Sequence, residues 1–320
     1  MNRPEKSRRK NSFARRRLSQ YTEIMKELTL TAQDGLELSI AIAQAPRTTL
    51  LLQLIHGAVE HKERYYEFID YLKEYGVTSI ISDNRGHGRS VNDAYPLGYM
   101  DGYGQLLDDQ LRISRHIKKT YPGVPLALFG HSFGSMIARC YLQRHDDEIS
   151  RLVLSGTVAY IPAVPIGITL GELAVKRSGE HGYSPLFRLL NGDSDDIQWI
   201  SASEANKQAR NNDPLCRYPY QNEAMLTIFK TDKELHAFEK FQCKNPDLPI
   251  LSVCGEDDPV TGGKLGLRDT VNTLRRIGYH DITTIVYPGM RHEVLNEEDR
   301  LTVYRDIAVF LASQATSPAV

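Results

Sequence analysis

From Met25 onward the chain alternates short apolar runs with longer stretches of helical periodicity. Glu27–Thr31 and Leu36–Ala41 flank Gln33-Asp34-Gly35, a turn signal, and predict a β-hairpin. Thr49–Ile55 is almost wholly apolar, as a strand covered on both faces must be. Tyr65, Phe68, Ile69 and Leu72 recur at i, i+3, i+4, i+7 and predict a helix that Gly76 ends. Val77–Ser82 reads as the next buried strand, and 104–120 as a helix stopped by Tyr121-Pro122-Gly123. Leu126–Phe129 is a further strand, followed by a helix with Phe133, Met136, Ile137, Cys140 and Tyr141 on one stripe, and then by strand Arg151–Ser155. After Thr157 the rhythm breaks. Residues 158–245 show no convincing parallel strand and are rich in short helical fragments. Alternation resumes with strand Pro249–Cys254, a helix near 263–277, strand Ile282–Tyr287 and a helix over 298–313, with Leu301, Tyr304, Ile307, Ala308 and Leu311 on one face.

This pattern predicts an α/β fold: a mostly parallel central sheet, helices on both sides, and one long insertion between the sixth and seventh strands. The expected division is a basic tail over 1–24, a core over 25–157 and 246–320, and a cap over 158–245. The insertion leaves the core where strand C-termini point, the edge at which open α/β sheets bind ligands, so it is placed to be a lid.

Composition changes this picture little. With 41% hydrophobic and 25% charged residues the chain can bury a substantial core, and no apolar run approaches the length of a membrane span. Cys140, Cys216, Cys243 and Cys254 are scattered without paired spacing, which suggests reduced thiols and a cytoplasmic protein. The net charge of −1 hides an asymmetry, because residues 1–24 carry eight basic side chains against Glu5 and Glu23. That tail has no apolar h-region and is read as a disordered appendage without a function of its own, the alternatives being an anchor to an anionic surface or nucleic acid and a weak organelle-targeting segment. No nucleic-acid partner is expected.

The candidate chemistry starts at Gly130-His131-Ser132-Phe133-Gly134, between a predicted strand and a predicted helix. In that context Gly-x-Ser-x-Gly reads as a nucleophile elbow, a tight turn that lifts a strained serine above the sheet. A serine hydroxyl needs a general base within reach, and the base needs an acceptor behind it. Glu256-Asp257-Asp258 follows one late strand, and His292, the only histidine in the last 39 residues, follows the next. Neither Gly-x-Gly-x-x-Gly nor a His/Cys/Asp cluster at metal-ligand spacing occurs, so no cofactor and no metal are expected.

His56-Gly57-Ala58-Val59-Glu60-His61, with Arg64-Tyr65 after it, resembles the first loop of monoacylglycerol lipases and bacterial lysophospholipases. These are α/β-hydrolases grouped with the serine aminopeptidase S33 proteins. Asp83-x-Arg85-Gly86-His87-Gly88-Arg89-Ser90, the elbow, and Tyr287-x-Gly289-x-x-His292-Glu293 match the same family in order and approximate spacing. Asp213-Pro214-Leu215-Cys216 resembles a segment common in the bacterial members' caps. The resemblance spans residues 26–313 and implies the α/β-hydrolase fold, with Ser132 as nucleophile, His292 as base and Asp258 as acid. Asp258 stands three residues after Gly255 and before Pro259, with Glu256 and Asp257 as alternatives. The oxyanion hole would use the backbone N–H groups of Ala58 and Phe133.

Around these, His56 and His87 are expected to order their own loops, Arg85 to pair with Asp83, and Glu60 and His61 to bond near the oxyanion loop. Trp199, the only tryptophan, is expected in the lid. Basic residues near Asn211–Asp213 leave room for a charged head group. The reading is a serine hydrolase that cleaves carboxylic esters through an acyl-enzyme, and the resemblance implies a monoacyl lipid substrate met with at most peripheral contact to a membrane surface. Two rivals stand: an aminopeptidase or amidase on the same fold, and a non-catalytic ligand-binding protein.

Overall fold

The computed structural model describes residues 24–185, 187 and 197–313; the basic tail, apart from Ile24, lies outside them. The strands are β1 (Lys26–Thr31), β2 (Glu37–Ala43), β3 (Leu50–Ile55), β4 (Val77–Ser82), β5 (Leu126–His131), β6 (Arg151–Ser155), β7 (Ile250–Gly255) and β8 (Ile282–Tyr287). They form one sheet in the order β1-β2-β4-β3-β5-β6-β7-β8. The expected hairpin is present, β1 pairing antiparallel with β2 and β2 antiparallel with β4. Every other pairing is parallel. The strands β3 to β7 are buried along their whole length, which explains their unbroken apolar runs. β1 and β8 are the edge strands, and much of β8 faces solvent.

The described helices that flank the sheet are α1 (Tyr66–Lys73), α2 (Tyr103–Thr120) and α3 (Phe133–His145). Two apolar layers result. One face of the sheet packs α1 and the C-terminal helix, through Phe68, Ile69, Leu72, Tyr304 and Ile307. The other packs α2 and α3, through Leu106, Ile113, Met136, Ile137 and Tyr141. The stripe expected on α3 understates its burial, since every residue from Phe133 to Gln143 is buried. Between β6 and β7 the chain forms α4 (Val164–Ser178), α5 (Glu204–Asn211), α6 (Asn222–Glu234) and short 3₁₀ turns, with no strand among the described residues. The fold closes with α7 (Gly263–Ile277) and α8 (Arg300–Ala312). On α8 the buried arc is Val303, Tyr304, Ile307, Ala308 and Leu311. Leu301, expected on that face, is exposed, because it sits in the first turn at the rim of the arc.

One expected contact is replaced. Arg85 does not pair with Asp83: its Nε and Nη2 donate to Asp109 at 2.8 and 2.9 Å, and its Nη1 to Asp34 at 2.7 Å. The turn that His87 N–H closes on Asn84 carbonyl swings the guanidinium towards α2. Asp83 instead takes Lys62 Nζ at 3.0 Å and the backbone N–H groups of Lys62 and Arg89.

Candidate active site

The elbow is built by close approach. Ser132 caps α3 with φ 52° and ψ −122°, a conformation that L-residues hold only when their surroundings impose it. Its neighbours are small for a physical reason. A Cβ on Gly130 would lie 2.4 Å from the Gly134 carbonyl oxygen, and one on Gly134 would lie 2.2 Å from that of Ile55. Both glycines let α3 run directly over β3 and β5.

The three side chains expected to act together come from separate strand ends. Ser132 follows β5, Asp258 follows β7 and His292 follows β8. Ser132 Oγ lies 2.8 Å from His292 Nε2, and His292 Nδ1 lies 3.0 and 3.1 Å from the two Asp258 oxygens. This network makes Nδ1 the protonated nitrogen and leaves Nε2 to accept the serine proton. Asp258 is buried and also accepts from Thr261 Oγ1 at 2.7 Å and Val260 N–H at 2.9 Å. Burial alone would raise its carboxyl, but His292 with these donors holds it below the ordinary value, so it stays ionised. Glu256 and Asp257, the alternatives, are both exposed. Gly156, with φ 52° at the end of β6, leaves the imidazole its space: a Cβ there would lie 2.9 Å from His292 Nδ1.

Ala58 and Phe133 line, with Ser132, an almost wholly apolar cavity of about 140 Å³ that also touches Met136, Ile161 and Phe229. The loop carrying Ala58 packs onto the elbow, since a Cβ on Gly57 would lie 3.0 Å from Ser132 Cβ. Glu60 organises this loop by accepting from Gly57 N–H and from Tyr65 Oη at 2.8 Å. His56 Nδ1 bonds the Gly57 carbonyl at 2.8 Å, and its Nε2 accepts from Asn84 N–H at 2.8 Å. His87 Nδ1 bonds the Arg85 carbonyl at 2.9 Å within its own turn. Burial, with His56 nearby, pushes His87 down to about 3, so its ring is neutral.

Several contacts have no counterpart in any sequence spacing. His131 lies with its ring centroid 4.8 Å from that of His292, and burial pushes it down to about 4. Trp199, between β6 and β7 as expected, lies 5.3 Å from the His292 ring. Glu293 is buried and receives Arg64 Nη2, Arg210 Nη1 at 3.1 Å and Asn206 Nδ2 at 2.8 Å. Burial alone would raise its carboxyl; the two guanidiniums hold it below the ordinary value. Arg210 and Lys207, the basic residues that left room for a head group, are thus occupied, Lys207 by Gln198 and Glu204. Apart from those of Lys207, these contacts join residues between 83 and 229 positions apart.

Sequence spacing shows no metal cluster, yet the fold gathers His61, Asp213 and Cys216 with ligand atoms within 4.8 Å of one another. Both His61 nitrogens are taken, Nε2 by Asp213 at 2.8 Å and Nδ1 by Glu63. Burial opposes the charge, but the hydrogen bonds of Asp213, Cys216 and Glu63 carry the imidazole up to about 12. With both ring nitrogens engaged by carboxylates, His61 joins the loop carrying Ala58 to the segment between β6 and β7.

The family model for serine aminopeptidase, S33, matches residues 46–299. The monoglyceride lipase of Homo sapiens is 33% identical over 274 residues, covering 84% of this chain and 84% of that protein. The monoacylglycerol lipase of Mycolicibacterium smegmatis is 25% identical over 265 residues, covering 81% of this chain and 87% of that protein. Among solved structures, a highly thermostable carboxyl esterase from Bacillus coagulans, in complex with glycerol, superposes with a TM-score of 0.80 at 26% identity, over 90% of this chain and 97% of that one. The chain belongs to the serine aminopeptidase S33 family of α/β-hydrolases, within its monoacylglycerol lipase-like group.

Proposed function

We propose that the protein is a serine hydrolase of carboxylic esters, and that Ser132, His292 and Asp258 carry the reaction. The observation that supports this most is the unbroken line from Asp258 through His292 to Ser132 Oγ, ending beside an apolar cavity. Ser132 Oγ attacks the ester carbonyl as its proton passes to His292 Nε2. Asp258 holds the Nδ1 tautomer and stabilises the imidazolium that forms. The backbone N–H groups of Ala58 and Phe133 receive the oxyanion, donors that are worth roughly 10²–10³ in rate each. Collapse expels the alcohol, which takes the proton from Nε2, and a water then cleaves the acyl-enzyme by the same relay.

The substrate class follows from the cavity and its approach. Ile161 and Val164 line the cavity at the start of α4, and Ile161, Ile166, Leu170 and Leu173 are exposed beside it. Ile166, Leu170 and Leu173 recur at i, i+4, i+7, so one side of α4 presents an apolar face to solvent. A face of this kind suits a lipid–water interface. The monoglyceride lipases among the relatives favour a monoacylglycerol or related monoacyl lipid, and the segment over 158–245 then acts as the cap. Four free cysteines, three of them buried, agree with a reducing compartment such as the cytoplasm. No described helix is long and apolar enough to cross a membrane.

The test is turnover of p-nitrophenyl esters of increasing acyl length and of monoacylglycerols, beside aminoacyl anilides, with Ser132→Ala as control. Ester turnover with a chain-length optimum, lost in Ser132→Ala, is expected. Anilide turnover without ester turnover would make it an aminopeptidase, and no turnover of either would favour a binding protein.

A further inference from the structure

Val59 stands in the left-handed region at φ 51°, although it is β-branched. For such a residue this is an outlier that persists only where the surroundings over-determine it. Val59 follows Ala58, whose N–H is the proposed oxyanion donor, so anchoring the two peptides that flank Val59 fixes the chain immediately after the Gly57–Ala58 peptide that carries that N–H. Two side chains grip it, and both come from the segment between β6 and β7. Val59 N–H donates to Tyr220 Oη at 3.0 Å, and the Val59 carbonyl accepts from Arg210 Nη2 at 3.1 Å.

Each grip is itself oriented. His87 donates from Nδ1 to the Arg85 carbonyl, so its Nε2 can only accept, and it accepts from Tyr220 Oη. With its proton spent there, Tyr220 Oη presents a lone pair to Val59 N–H. Arg210 Nη1 is meanwhile held by Glu293, the residue after His292, at 3.1 Å. One guanidinium therefore spans the oxyanion loop and the loop that carries the proposed base.

We propose that Tyr220 and Arg210 are positioning residues that hold Val59 in its strained conformation and thereby aim the Ala58 N–H at the oxyanion. Docking of the segment between β6 and β7 and assembly of the oxyanion hole are then a single event. A site with that segment displaced keeps Ser132, His292 and Asp258 but lacks a correctly aimed donor. The inference rests on the serine-hydrolase reading and extends it to residues that touch neither substrate nor the reacting atoms.

The test is a double-mutant cycle on a soluble ester, p-nitrophenyl butyrate, with Tyr220→Phe measured in the Val59 and the Val59→Gly backgrounds. Glycine adopts positive φ without strain, so it needs no grip. In the Val59 background Tyr220→Phe is expected to lower kcat by about 10–100-fold at nearly unchanged KM, a partial loss of one oxyanion donor. In the glycine background the same change is expected to cost less than about threefold. Arg210→Gln is expected to follow the same pattern. Unchanged kcat in Tyr220→Phe and Arg210→Gln, or an equal loss in both backgrounds, would overturn the inference. Turnover retained by Ser132→Ala would instead overturn the underlying reading, so the two failures are told apart.

Discussion

A single missing carbon decides several positions in the site. Gly156 and Gly134 both exclude a side chain, but for different reasons. At Gly156 a Cβ would meet the His292 ring first, Nδ1 at 2.9 Å and Cε1 at 3.0 Å, with the His292 carbonyl oxygen at 3.1 Å, and φ is already 52°. At Gly134 the obstacles are the backbone oxygens of Ile55 and His56, which cannot give way without separating α3 from β3. Gly156→Ala is therefore expected to leave the protein folded and to cut turnover by about 10²-fold, as a misplaced imidazole would. Gly134→Ala is expected to destabilise the fold by about 3 kcal/mol or more, by overpacking against rigid backbone. Thermal melts beside kcat separate the two, and a Gly156→Ala protein with full turnover would contradict the first. At this scale the elbow was legible because tight turns demand glycine at fixed offsets. The proposed acid was legible only as a cluster, of which Asp258 alone is buried and hydrogen-bonded to His292. The grips on Val59 were not legible, since Arg210 and Tyr220 come from far along the chain and share no spacing with it.

Elements were read well wherever burial imposes a period. β3 to β7 are covered on both faces and appear as plain apolar runs, and α7 falls over the expected 263–277. Reading failed at rims: Leu301 has an apolar side chain but faces water, and α3 hides a buried Arg139 that its apolar stripe did not announce. Arg139 Nη1 and Nη2 have no hydrogen-bond partner among the described residues, and burial pushes this guanidinium down to about 10. The joint between the loop carrying Ala58 and the segment before α6 is electrostatic, through His61, Glu63 and Asp213. His61 is raised from an ordinary value near 6.5 to about 12, so its charged contacts stabilise the folded state fully below about pH 6.5. That contribution declines as pH rises from there towards 12, because the unfolded chain has released the proton that the folded one still holds. His61→Gln is thus expected to lower Tm more at pH 6 than at pH 9.5. An equal penalty at both pH values would mean that His61 acts there as a neutral hydrogen-bonding residue.

Taken whole, the molecule places the proposed reaction centre near an exposed apolar face. Ile161 lines the cavity beside Ser132 and is itself exposed, and α4, which begins three residues later, exposes Ile166, Leu170 and Leu173. Replacing these last three by glutamate is expected to lower hydrolysis of a monoacylglycerol dispersed in vesicles at least about tenfold while leaving p-nitrophenyl butyrate within about twofold, since charge on such a face opposes interfacial burial. Equal losses on both substrates would place the face in the fold's stability instead. The mostly parallel sheet and the single insertion were legible from the alternation of runs, whereas the strand order, with β4 between β2 and β3, was not; the family followed from four short motifs at strand ends. What the segment over 158–245 does was not, because contacts of its described residues, such as those of Arg210 and Tyr220 with Val59, reach back far along the chain. The account stands most directly on Ser132. A fluorophosphonate should add its mass to the peptide carrying Ser132, once per chain and at a rate that falls at least about 10³-fold in His292→Ala, as loss of a general base requires. An adduct on any other residue, or none on a protein that melts normally, would contradict it.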